Sequence, residues 1–242
     1  MRQARIHTPQ TLLEMPSVEL DGSAAHYLAR VLRLSKGDPL ILFNGDGRDY
    51  SAEISEVQSK RVLTRLLDSR ISSRESPLKI TLVQAICRGD RMDYALQKAT
   101  ELGVFCIQPL ISHRVEVRLD KARQAKRMKH WQGVVISACE QSGRAVVPEV
   151  KTPLSMFEWM AEADVSPRVV LDPVAENKLS GLPVAADAIS ILVGPEGGFT
   201  KEEAVAARSS GLTAVSLGPR VLRTETAGPA AIAVLQAKTG GL

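Results

Sequence analysis

The chain has 242 residues, 31 Lys and Arg against 27 Asp and Glu for a net charge of +4, and 44% hydrophobic but only 4% aromatic residues. That balance excludes global disorder, and the length suffices for one large or two modest domains with an aliphatic core and no disulfide or metal staple. No apolar run approaches the roughly 20 residues of a membrane-spanning helix. The opening MRQARIHTPQTLLEMP also lacks the apolar stretch of a secretory signal.

The first stretch reads as short strands around one helix. Residues 23–34 have helical character, capped at Asp21 or Ser23. LILF (40–43) is a strand, followed by the turn Asn44-Gly45-Asp46-Gly47. In 49–57 Tyr50, Ala52 and Ile54 share one face, and 60–67 is a further strand. This predicts a small β-barrel-like domain. The polar, Ser-rich run 69–77 ends in Pro77 and reads as a linker, so domains over 1–72 and 73–242 are expected.

Beyond the linker strands and helices alternate. A strand over 78–86 leads to a helix over 90–102, closed by Gly103, and to a strand over 104–111. The spacing of Ala122, Ala125, Met128, Trp131, Val135 and Ala138 predicts a helix over 121–141, with another over 153–163. Apolar strands follow at 168–172 and 188–194. Thr200 and Glu203 form a capping box for a helix over 200–209. A last strand (213–218) precedes an Ala-rich helix (224–238), with Pro229 expected in a tolerant first turn. The alternation predicts an α/β domain, a parallel sheet with helices on both faces.

Two segments could carry chemistry. ILVGPEGGFTKEE (191–203) leaves a buried strand through Gly194-Pro195-Glu196-Gly197-Gly198 and enters a capped helix. Its glycines let the backbone approach a ligand, and the carboxyl end of a parallel strand is where ligands bind. The segment is neither a phosphate-binding P-loop nor GxGxxG. SLGPRVLRTETAGPAA (216–231) makes the same kind of exit. The two loops follow successive strands, so they are expected side by side, forming a pocket of main-chain groups suited to an adenine ring. Arg220 and Arg223 supply cations there, and Glu225 a carboxylate.

The other residue types exclude more than they offer. Cys87, Cys106 and Cys139 are widely spaced without a CxxC pair, so reduced thiols in the cytoplasm are expected. His7, His26, His113 and His130 lack zinc spacing, and no metal is expected. Arg30 and Arg33 flank one turn of the short helix, so both can face outward together. Arg2, Arg5, Arg88, Arg91 and Arg144 are further cations that could meet a polyanionic partner, RNA among them. The dense basic run Arg118 to Lys129 reads first as a solvated helix face.

GPEGGF followed by SLGPRVLRTETA resembles the SPOUT class of RNA methyltransferases. HYLARVLRLSKGD, RMDYALQKATELGV and SACEQSGRAVVPEV extend the likeness over most of the chain, to the RsmE family. The resemblance implies a PUA-like N-terminal domain, a trefoil-knotted SPOUT domain and a homodimer. It implies methylation of uridine N3 in small-subunit (16S) ribosomal RNA, with S-adenosylmethionine as cofactor. Carried over by motif, the cofactor lies against Gly194, Pro195, Glu196, Gly197 and Gly198, then Leu217, Gly218, Val221, Leu222 and Arg223, with Thr226 and Leu171 close by. Arg223 and Glu225 are the catalytic candidates, one to steady charge on the base and one to take the N3 proton. Two alternatives stand at this point. One is a SPOUT methyltransferase acting elsewhere on ribosomal or transfer RNA; the other is a non-catalytic RNA-binding protein of ribosome assembly.

Overall fold

The structure, a computed structural model, describes residues 3–114, 121–162, 166–184 and 187–242, and of Lys121 only the backbone. Two compact units are present, one formed by residues 1–75 and 139–147 and the other by 76–138 and 148–242. The sequence reading divided the chain once, after residue 72. It did not foresee that 139–147 packs with the N-terminal residues.

In the first unit, β1 (Ala4–His7), β2 (Ser17–Asp21), β3 (Pro39–Phe43), β4 (Arg48–Val57) and β5 (Arg61–Ile71) form a sheet in the order β1-β3-β4-β5-β2. The β1–β3 pair is parallel and the others are antiparallel. Tyr50, Ala52 and Ile54 are buried, as their alternation predicts, and pack with Leu28, Leu40, Leu42 and Val62. The helix expected over 23–34 is shorter. Regular α-helix, α1, covers only Gly22–His26, and a π-turn follows over Tyr27–Val31. Leu32 N–H then bonds the Tyr27 carbonyl and Arg33 takes φ +55°, which ends the helix. Arg30 and Arg33 are both exposed, but Arg33 lies beyond the helix rather than one turn along it.

Charge is buried in this unit as well. Arg5 and Asp49 pair at 2.9 Å with side-chain exposures of 6% and 2%. Arg5 Nη2 donates to the Arg144 carbonyl, and the Arg144 guanidinium donates to Glu75 at 2.6 Å. Burial pushes the Glu140 carboxyl above its ordinary value, although the His7 N–H it accepts pulls the other way.

The second unit holds an all-parallel sheet of β6 (Lys79–Ala85), β7 (Cys106–Ile111), β8 (Glu149–Val150), β10 (Arg168–Leu171), β11 (Ala188–Val193) and β12 (Thr213–Val215) in the order β12-β10-β11-β6-β7-β8, with β9 (Leu154–Ser155) also on β7. On one face Val83, Leu110, Val170 and Leu192 pack with Trp159 of α4 (Met156–Ala161) and Ala207 of α5 (Lys201–Ser209). On the other, α6 (Thr224–Thr239) lies so close that a Cβ on Gly228 would be 3.0 Å from Leu82. α6 also packs with α2 (Asp90–Glu101), while α3 (Lys121–Ser142) buries Trp131, Val135 and Ala138. Pro229 is the sixth residue of α6 rather than in its first turn, so the bond its missing N–H would make is forgone. Among the described residues no helix is long and apolar enough to cross a membrane.

Candidate functional site

Three neighbouring strands, β12, β10 and β11, end on the same side of the sheet because all are parallel. Their carboxyl ends open into one cavity of about 570 Å³. That volume lies in the range of about 300–1,000 Å³ typical of small-molecule sites. The loops after β11 and β12 were expected as immediate neighbours; instead β10 runs between their strands. Both loops still reach the cavity, and Leu171 at the end of β10 lines it with Asp172 and Pro173 just beyond.

The loop after β11 is a tight turn. Gly198 N–H bonds the Pro195 carbonyl at 2.9 Å, and Gly198 takes φ +67°, which glycine adopts without strain. Gly194 is required for a different reason: a Cβ there would lie 3.0 Å from the Phe199 ring. The capping box then launches α5, with Thr200 Oγ1 accepting from Glu203 N–H and Glu203 accepting from Thr200 N–H. Glu203, 2% exposed, also accepts the His113 N–H, so one buried carboxylate ties the chain after β7 to the start of α5.

The loop after β12 is anchored by Ser216, whose N–H bonds Asn177 and whose carbonyl accepts from Leu179 N–H. It turns through Gly218 at φ +125° and enters α6 with Arg223 at the N-cap. Thr224 Oγ1 donates to the Gly194 carbonyl at 2.6 Å, so the two loops are stitched together. At the rim Arg91 Nη1 lies 3.3 Å from Glu196, and Arg91 Nε lies 3.8 Å from Glu225. Glu225 lines the cavity, and its Oε2 is buried without a hydrogen-bond partner. Cys87, close behind, has its thiol pushed up to about 12, chiefly by burial.

Most of the residues singled out in the sequence meet here. Leu171, Gly194, Pro195, Glu196 and Gly198 line the cavity, as do Leu217, Val221, Leu222, Arg223 and Glu225. Val221 is 80% exposed and so belongs to the rim. Gly197, Gly218 and Thr226 do not line the cavity. Gly197 turns outward, its carbonyl held by Arg114. Sequence reasoning missed Asp172, Pro173, Phe199 and Arg208. The first two follow from the rule that ligands gather beyond parallel strand ends; Phe199 and Arg208 carry no such signal.

The basic residues divide sharply. Arg30, Arg33, Arg88 and Arg91 are exposed. Arg5 and Arg144 are not: both are buried and committed to Asp49 and Glu75, so neither guanidinium faces a phosphate. Arg2 and Arg118 lie outside the described residues.

This architecture, a parallel α/β domain with its site at clustered strand ends together with a separate β-rich unit, defines a SPOUT-type methyltransferase with a PUA-like domain. Residues 74–236 match the model of an RNA methyltransferase domain, and 20–67 that of an RNA methyltransferase PUA domain. The chain is 36% identical over its full length to the ribosomal RNA small subunit methyltransferase E of Buchnera aphidicola from Schizaphis graminum, covering 98% of that protein. It is similar to a methyltransferase of Legionella pneumophila crystallised with S-adenosylmethionine, at TM-score 0.94, 41% identity and 98% coverage of each chain. The ribosomal RNA small subunit methyltransferase E of Neisseria gonorrhoeae, bound to the same molecule, gives TM-score 0.92, 39% identity and 98% coverage of each chain. The chain belongs to the ribosomal RNA small subunit methyltransferase E family.

Proposed function

We propose that this protein methylates N3 of a uridine in small-subunit (16S) ribosomal RNA, using S-adenosylmethionine held in the strand-end cavity. The observation that carries the proposal is the convergence of both glycine-bearing loops on one cavity of suitable volume. The residues present fit the cofactor. Close-approach backbone at Gly194 and Gly198 suits a flat ring, and Leu171, Leu217 and Leu222 give apolar walls. When bound, the cofactor supplies a methyl group activated by a sulfonium.

The chain's own residues do the rest. Uridine N3 carries a proton and its lone pair is part of the ring π-system, so the proton must leave for N3 to attack. Glu225, with one carboxylate oxygen uncommitted, is the group to accept it. Arg223 ends in solvent at the rim, where its charge can steady the negative charge spreading to the uridine oxygens. The cavity's remaining work is alignment, which accounts for much of the acceleration in a displacement of this kind. Arg30, Arg33, Arg88 and Arg91 bind the RNA, the first two from the PUA-like unit. The protein acts in the cytoplasm as a homodimer.

Calorimetry and single-turnover kinetics test this together. The wild type binds S-adenosylmethionine, and Glu225→Gln binds it comparably but loses about 100-fold in turnover. Binding without any loss on Glu225→Gln removes the proton-acceptor role. No binding by the wild type removes the proposal.

A further inference from the structure

Gln84 sits inside a strand whose other residues from Leu82 to Ala85 are apolar, and it is 0% exposed. Both hydrogens of its amide are used. Nε2 donates to the Ala85 carbonyl at 3.1 Å and to Thr224 Oγ1 at 3.0 Å, with Cys87 Sγ a longer contact at 3.5 Å. Because Thr224 accepts that hydrogen, its own hydroxyl proton is free to donate to the Gly194 carbonyl at 2.6 Å. The chain of bonds thus has one direction: β6, first residue of α6, first residue of the loop after β11. Gln84 Oε1 is left buried with no partner, facing the crowded backbone at Gly228. An unpaired buried acceptor is destabilising, and an apolar residue of similar size would avoid that penalty.

We infer that Gln84 is a positioning residue, which fixes the loop after β11 and the first turn of α6 in one register through Thr224, at a cost to stability. This rests on the reading of the cavity as the cofactor site, since those segments supply Gly194, Arg223 and Glu225. Gln84 itself does not line the cavity. Its effect is exerted on where the loop carbonyl points and on where α6 begins. The Gly194 carbonyl is thereby reserved for the protein, leaving ligand contacts at that turn to other groups.

The test uses Gln84→Met, Thr224→Val and their combination in the full chain. Hydrogen exchange is followed without ligand, alongside melting temperature and S-adenosylmethionine titration. The inference expects amides at 196–198 and 224–227 to exchange about tenfold faster in each single variant. Gln84→Met melts no lower than wild type, cofactor affinity falls about tenfold in each, and the double variant is no worse than either single one, because the two residues form one relay. Unchanged exchange at those amides, or additive losses in the double variant, overturns it. So does faster exchange throughout the chain with a lowered melting temperature. If Gln84→Met does not fold, Thr224→Val decides: faster exchange confined to 196–198 and 224–227 supports the relay, and wild-type exchange there refutes it. A wild type that takes up no S-adenosylmethionine defeats the cofactor reading instead, and the exchange data still decide the relay.

Discussion

A methyl group at Gly194 would come within 3.0 Å of the Phe199 ring, a contact tighter than packed side chains accept. Gly194→Ala is therefore expected to displace the ring into the cavity, weakening cofactor binding at least tenfold and destabilising the fold by about 1–3 kcal/mol. Calorimetry and denaturant unfolding measure the two effects, and wild-type affinity would contradict the expectation. The thiols make a second test. Cys87 and Cys139 are both pushed up to about 12, chiefly by burial, and Cys87, Cys106 and Cys139 are all buried. A thiol is reactive only as thiolate, so at pH 8 only about one in 10,000 of the Cys87 or Cys139 thiols would be ionised, and burial pushes Cys106 up as well. The folded protein is expected to leave a disulfide exchange reagent unconsumed at pH 8, and three equivalents should react in denaturant, one for each free cysteine. At this scale the sequence reveals residue type but not environment. Arg5 and Arg30 look alike as basic residues near strand or helix, yet one is buried against Asp49 and the other is solvated.

At the scale of elements, the start of α5 was legible because its signal is local. Thr200 and Glu203 lie three apart, and the reciprocal bonds that spacing allows are present. What the spacing cannot convey is that Glu203 also receives the His113 N–H, across 90 residues of chain. The two positions should therefore differ in consequence. Thr200→Ala is expected to cost about 1 kcal/mol, as lost caps do. Glu203→Ala should cost about 2 kcal/mol, because two part-buried N–H groups lose their acceptor. Equal costs in urea unfolding would mean that the bond to His113 contributes nothing. The elements missed in the sequence are those whose pattern is weak. β1 is four residues long with an arginine buried in it, and β2 places alternate residues outward over only five. The helix over 23–34 was overestimated because a π-turn has the same side-chain composition as an α-turn.

Across the whole molecule, sheet order decides function and is the least legible feature. β10 lies between β11 and β12, although it precedes both in sequence, and this brings Leu171 and Asp172 between the two glycine-bearing loops. Such long-range pairing leaves no periodic trace, whereas the alternation of strands and helices that specifies a parallel sheet is plain. Charge also works at this scale. Replacing the exposed Arg30 or Arg33 with Ala should leave stability unchanged, weaken ribosomal RNA binding, and reduce its logarithmic salt slope by about 0.7–0.9 per residue. Arg5→Ala should instead destabilise the first unit by about 3 kcal/mol, because Asp49 at 2% exposure loses its nearest partner at 2.9 Å. A salt slope that responds to neither exposed arginine would remove the PUA-like unit from RNA binding.

The most direct measurement combines the purified protein, S-adenosylmethionine carrying an isotopically labelled methyl group, and small-subunit ribosomal RNA from cells lacking the protein, followed by nucleoside mass spectrometry. The label should appear in 3-methyluridine at a single position and form about 100-fold more slowly when Glu225 is replaced by Gln. Label on a ribose or another base, or none with the cofactor demonstrably bound, would contradict the account.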